Sequence, residues 1–172
     1  RKLRLILQLR QAGIADTEGW AHRVVTQETY AYVADRQRGL AVVDIAAPEQ
    51  PVVVSSYLPD QCLDGLTWGV AVRKDRAYIT DSCTQYVGEP PNSLIILDIS
   101  TPGNPRYLGG YSSGAEAVDV AVDGSAAYLA LAATGVHRVD VGDAADPAMS
   151  ATYEVSGYVN DMIRVEEYLF VA

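Results

Sequence analysis

Little in this chain lends itself to covalent chemistry. Among its 172 residues are two cysteines, two histidines, two methionines and one phenylalanine. The cysteines form no C-x-x-C pair and have no histidine nearby, so the roughly four ligands of a structural zinc site are missing. No G-x-S-x-G, H-E-x-x-H or P-loop occurs, and neither histidine has a Ser or Cys nucleophile at a recognisable family spacing. The glycines of GGYSSG (109–114) end a strand-like run and enter no helix, which excludes a dinucleotide fingerprint. Helical periodicity is absent, and no apolar run approaches the ~18 residues of a transmembrane helix. Basic residues are scarce, 13 against 22 acidic, for a net charge of −9. That sign repels phosphate backbones and anionic lipid surfaces, so neither nucleic acid nor direct membrane insertion is expected.

What remains is a dense pattern of short strands. At the N-terminus Leu3, Leu5, Leu7 and Leu9 alternate with Arg4, Ile6, Gln8 and Arg10, a strand period whose apolar stretch falls short of a signal-peptide core. Beyond it, four segments align: YAYVAD (30–35), RAYITD (76–81), AAYLAL (126–131) and YLFVA (168–172). A second series follows, GLAVVDI (39–45), SLIILDI (93–99) and GVHRVDV (135–141), and a third, PEQP (48–51), PGNP (102–105) and ADP (145–147). Asp98 to Asp140, Tyr111 to Tyr153 and Tyr128 to Phe170 all span 42 residues. The second repeat is longer because 4 extra residues precede Tyr78 and 8 follow it.

Each repeat holds four strand-like runs, in the second TWGVAVR (67–73), RAYIT (76–80), LIILDI (94–99) and RYLGGY (106–111). Four strands in about 40 residues is the propeller pattern. LIILDI and AVVDI are apolar on both faces, as a sheet packed between two neighbours must be. The predicted fold is all-β: an arc of four-stranded antiparallel blades, about three and a half of them, in an incomplete ring. Residues 3–9 are the outer strand of a preceding blade, 20–57, 66–111 and 117–153 are blades, and 159–172 are the first two strands of another. The accounting predicts a piece of a longer chain, from a ring of six to eight blades.

The apolar-V-D-[IV] run, the proline turn, the following tyrosine and AY-[VI]-[AT]-D together resemble the LVIVD repeat family of β-propellers. The resemblance implies a propeller, often in exported or cell-surface proteins, and carries no catalytic residues.

Cys62 lies in the link between blades and Cys83 in the link between the second and third strands, two loops that emerge on one face and carry the second repeat's insertions. A disulfide between them is expected, and with it an oxidising compartment: extracellular, cell-surface or periplasmic. Asp44, Asp98 and Asp140 end the third strands and are expected to accept backbone N–H groups of the next turn. Asp35 and Asp81 are expected to cap loops in the same way.

Arg23, Gly69, Asp119 and Asp161 fall at one place, the start of the innermost strand. Asp119 and Asp161 are thus candidates for a shared channel-mouth site, with Arg23 nearby, and Ca²⁺ is the ion such carboxylates would take; no cofactor is otherwise expected. Trp20, His22, Arg23 and Trp68 on one rim, with Tyr86 at the tip of DSCTQYVGEPPNS (81–93), suit a protein or carbohydrate ligand. His137 is read as a packing or surface histidine. The function expected is a non-catalytic binding or structural scaffold; the alternative is a propeller hydrolase or lyase with a channel-mouth metal.

Overall fold

A computed structural model describes residues 11–59, 66–82 and 93–172. The Leu3–Leu9 strand expected from the sequence lies outside these residues. Among them every regular element is a strand, and no helix is long and apolar enough to cross a membrane.

The first sheet comprises β1 (Arg23–Gln27), β2 (Tyr30–Ala34), β3 (Leu40–Asp44) and β4 (Val52–Tyr57), hydrogen-bonded antiparallel in sequence order. The second repeats it with β5 (Leu66–Arg73), β6 (Arg76–Ser82), β7 (Leu94–Asp98) and β8 (Arg106–Tyr111). The third has β9 (Ala117–Asp123), β10 (Ala126–Leu131), β11 (Gly135–Asp140) and β12 (Ala148–Tyr153). β13 (Met162–Val165) and β14 (Tyr168–Val171) pair as a two-stranded sheet. The innermost strands β1, β5, β9 and β13 adjoin in series. The molecule is an arc of β-propeller blades.

The core lies between sheets, which explains the doubly apolar strands. Side chains alternate across a strand, so Ile95 and Leu97 of β7 pack with Tyr32, Leu40 and Val42 of the first blade. Leu94 and Ile96 face the other way, onto Val120, Leu129 and Val139 of the third. A smaller cluster joins Ala130 and Val136 to Val159 and Met162.

Two local devices recur. In each four-stranded blade the ladder between third and fourth strands slips just before the strand-ending Asp, at Val42/Val43, Ile96/Leu97 and Arg138/Val139. Such bulges raise the local twist of the outer strand. The carboxylate then accepts the N–H two residues on, Ala46 to Asp44 (2.8 Å), Ser100 to Asp98 (2.8 Å) and Gly142 to Asp140 (2.9 Å). These are the turns expected of that aspartate. The backbone bond from Ser100 holds the Asp98 carboxyl below its ordinary value. The second device is the hairpin joining the first two strands, whose first loop residue is left-handed in every blade: Glu28 (φ 54°), Lys74 (φ 55°), Gly124 (φ 61°) and Glu166 (φ 54°).

Asp35 departs from expectation. The loop is closed by its main chain, with Arg38 N–H donating to the Asp35 carbonyl (2.9 Å) and Asp35 N–H to Gly39 (2.8 Å). Its carboxylate is instead buried under Gly19, where an added Cβ would collide with it, and among the described residues neither oxygen has a partner in hydrogen-bond geometry. Desolvation raises its pKa, opposed by Thr17 and the Arg38 charge.

Candidate binding face

One end of the arc gathers the starts of the innermost strands and the ends of the second strands. Here the first two blades are joined by an isolated bridge: Arg36 N–H donates to Thr67 carbonyl and Thr67 N–H to Arg36 carbonyl, both at 3.2 Å. Arg36 is left-handed (φ 44°), a conformation rare outside glycine, and the reciprocal bonds hold it there. That backbone aims the guanidinium over aromatic rings. Its central carbon lies 4.2 Å from the Trp68 ring centroid and 5.8 Å from that of Trp20, both within cation–π reach.

His22 completes the cluster. Its ring meets Trp68 edge-on with centroids 4.9 Å apart, and Nδ1 lies 3.0 Å from the Trp68 carbonyl. A carbonyl only accepts, so Nδ1 is the donor in this contact. Trp20 is 69% exposed, while the Trp68 Nε1 is buried and has no hydrogen-bond partner among the described residues. Among the described residues the Arg36 guanidinium is stacked but makes no hydrogen bond, leaving its N–H fork available. The structure thus brings Trp20, His22 and Trp68 together. Sequence reasoning missed Arg36; the signal was an arginine directly after the second-strand Asp, on the rim that the tryptophans share.

Toward the concave side, Arg23 is drawn away from that cluster to two carboxylates. Its Nη2 is 3.0 Å from Asp119 Oδ2 and its Nη1 donates to Asp161 Oδ1 at 2.7 Å. It also donates to the Met162 carbonyl at 3.1 Å. Asp119 is 1% exposed and accepts the N–H of Val120 at Oδ1 and of Met162 at Oδ2, both at 2.8 Å. One guanidinium from the first blade therefore ties down the third blade and the β13–β14 sheet. Burial pushes the Asp119 carboxyl up to about 6, against the opposing pull of Arg23 and the two N–H donors. Asp161, exposed and bonded by Arg23, is held below its ordinary value.

Gly69 holds the equivalent place in the second blade. A Cβ there would lie 2.8 Å from the Asp119 Cα, so the absent side chain lets β5 and β9 approach. Asp119 and Asp161 do meet, but the charge they share is that of Arg23. Among the described residues no group of three carboxylate, histidine or cysteine side chains converges in the manner of a metal site.

Cys62, Cys83 and Tyr86 lie outside the described residues, and so does most of the 81–93 loop. His137 is half-buried and bonded to the Tyr111 hydroxyl at 3.0 Å, with burial lowering its pKa.

The family model for the LVIVD repeat matches the chain at residues 18–59, 85–113 and 114–155. No curated protein matches it significantly. The three matched regions cover well over half of the sequence and coincide with the blades whose Asp, Pro and Tyr landmarks set the fold: the chain belongs to the LVIVD repeat family.

Proposed function

We propose that this propeller arc is a non-catalytic binding scaffold of an exported or cell-surface protein, and that its ligand seats on the rim formed by Trp20, His22, Arg36 and Trp68. The observation that carries the reading is the Arg36 guanidinium, stacked on Trp68 with its hydrogen-bonding fork unspent, beside a tryptophan whose face is open. A pre-positioned planar donor next to an exposed aromatic plane suits a ligand with an apolar face and an oxygen-rich edge. A carbohydrate or a protein loop provides both. The export setting rests on the loop positions of Cys62 and Cys83.

Glycan and peptide arrays probed with the purified protein test this. Capture is expected, and Trp20→Ala combined with Arg36→Ala should weaken it at least tenfold, the scale of one binding hot spot. Trp20 is exposed, so its removal should leave thermal stability nearly unchanged. Arrays that capture nothing, or capture that survives the double substitution, overturn the proposal.

A further inference from the structure

The opposite end of the arc carries a second feature, independent of the rim. There the first-to-second-strand hairpins of all four blades turn. Their loop positions align in the structure, because Gln27 pairs with Tyr30, Arg73 with Arg76, Asp123 with Ala126 and Val165 with Tyr168. At the left-handed position the blades carry Glu28, Lys74, Gly124 and Glu166. At the position before it they carry Gln27, Arg73, Asp123 and Val165. Only the second blade is basic at both, and it adds Arg76 on the returning strand. In a chain of net charge −9 this is a local reversal of sign.

These cations border a cavity of about 390 Å³ between the second and third blades. Arg76 leans across it, its Nη1 donating to the Val141 carbonyl at 3.0 Å. A carbonyl orients that guanidinium without neutralising it. Among the described residues Arg73, Lys74 and Arg76 form no ion pair. Among the described residues Asp75, exposed in the turn, is the one carboxylate that lines the cavity itself, so the lining residues carry two net positive charges, with Asp140 beside them at Gly142. The facing wall is Gly124, Ser125 and Gly142, small residues, with the Gly142 N–H held by the Asp140 carboxylate at 2.9 Å.

We propose that this cavity is an anion site for a tetrahedral dianion, of phosphate or phosphomonoester chemistry. Three cations around one opening match the charge of such a group, and the small opposing wall leaves room for its oxygens.

The test is ¹H–¹⁵N NMR of the full chain titrated with inorganic phosphate and, separately, with glycerol 1-phosphate, at ionic strength held constant with sodium chloride. Saturable shifts of the Gly124, Ser125 and Gly142 amides are expected. A tighter response to glycerol 1-phosphate assigns an ester ligand, and an equal one assigns the free ion. Arg73→Glu with Lys74→Glu should weaken the response at least tenfold, and Arg73→Lys with Lys74→Arg should retain it. Glutamate already occupies the Lys74 position in two other blades, so the reversal is compatible with the turn. Shifts that fail to saturate, or that persist in the charge-reversed protein, overturn the site.

Discussion

Replacing Arg23 by alanine should cost about 3 kcal/mol of folding stability at neutral pH, at the lower end of what removing one partner of a buried ion pair costs. The arginine is 32% exposed but Asp119 is sealed, so the loss falls on a carboxylate left charged in a dry site. The effect carries a pH signature whose sign follows from the directions of the two shifts. Asp119 has a folded pKa near 6, above its unfolded value of 3.8, so the native state holds its proton more tightly. Stability therefore falls as pH rises from about 4 to about 6 and is level above that. Asp161 is shifted the other way: its stabilisation is present above 3.8 and is lost as pH drops through its lower folded value. The slope between 4 and 6 thus belongs chiefly to Asp119, with a contribution of the same sign from Asp35, whose carboxyl burial also raises. Denaturant unfolding across this range should show it in the native protein and a clearly shallower slope in Asp119→Asn. In Arg23→Ala the deficit should shrink on acidification as Asp119 takes up a proton. A deficit below 1 kcal/mol at neutral pH, or an unchanged slope in Asp119→Asn, would show that the clasp is an incidental contact.

Leu129→Ala should be comparably severe, at about 2–5 kcal/mol. Leu129 is fully buried in β10, packed against Leu94 and Ile96 across the gap between the second and third blades. Neighbouring blades are held by side chains interdigitating across that gap, so the cavity opens in the contact that stacks one sheet on the next. The matched control is Ile163→Ala in β13, where the side chain is 62% exposed and the change should stay within about 0.5 kcal/mol. Equal midpoints of chemical unfolding for the two variants would mean that blade-to-blade packing is not what stabilises the arc.

Much of this architecture was legible before any coordinates, for a local reason. A strand announces itself by alternation, a turn by Asp, Pro and Gly, and both act within a few residues. The 42-residue recurrence therefore located all four strands of each blade, and LIILD announced its two buried faces by being apolar at successive positions. The carboxylates of Asp44, Asp98 and Asp140 behaved as short-range chemistry predicts, each bonding an N–H two residues away. Asp35 did not, although it looks alike in sequence. A fold that closes Gly19 over its side chain leaves the carboxylate buried and gives the loop to the backbone.

The sequence by itself determined the repeat, the strand order and which faces would be buried, because hydrogen-bond ladders and side-chain alternation act between neighbours along the chain. Only the tertiary structure decided which distant groups share a charge. Arg23 pairs with Asp119 and Asp161, and the Arg36 fork lies on Trp68, because the curvature of the arc brings strand starts from separate blades within a side chain's reach. Asp119 and Asp161 shift in opposite directions because burial dominates at the one, sealed behind β13, and the Arg23 hydrogen bond at the other, which faces water, a distinction that two aspartates at equivalent places in the repeat do not carry in their sequence.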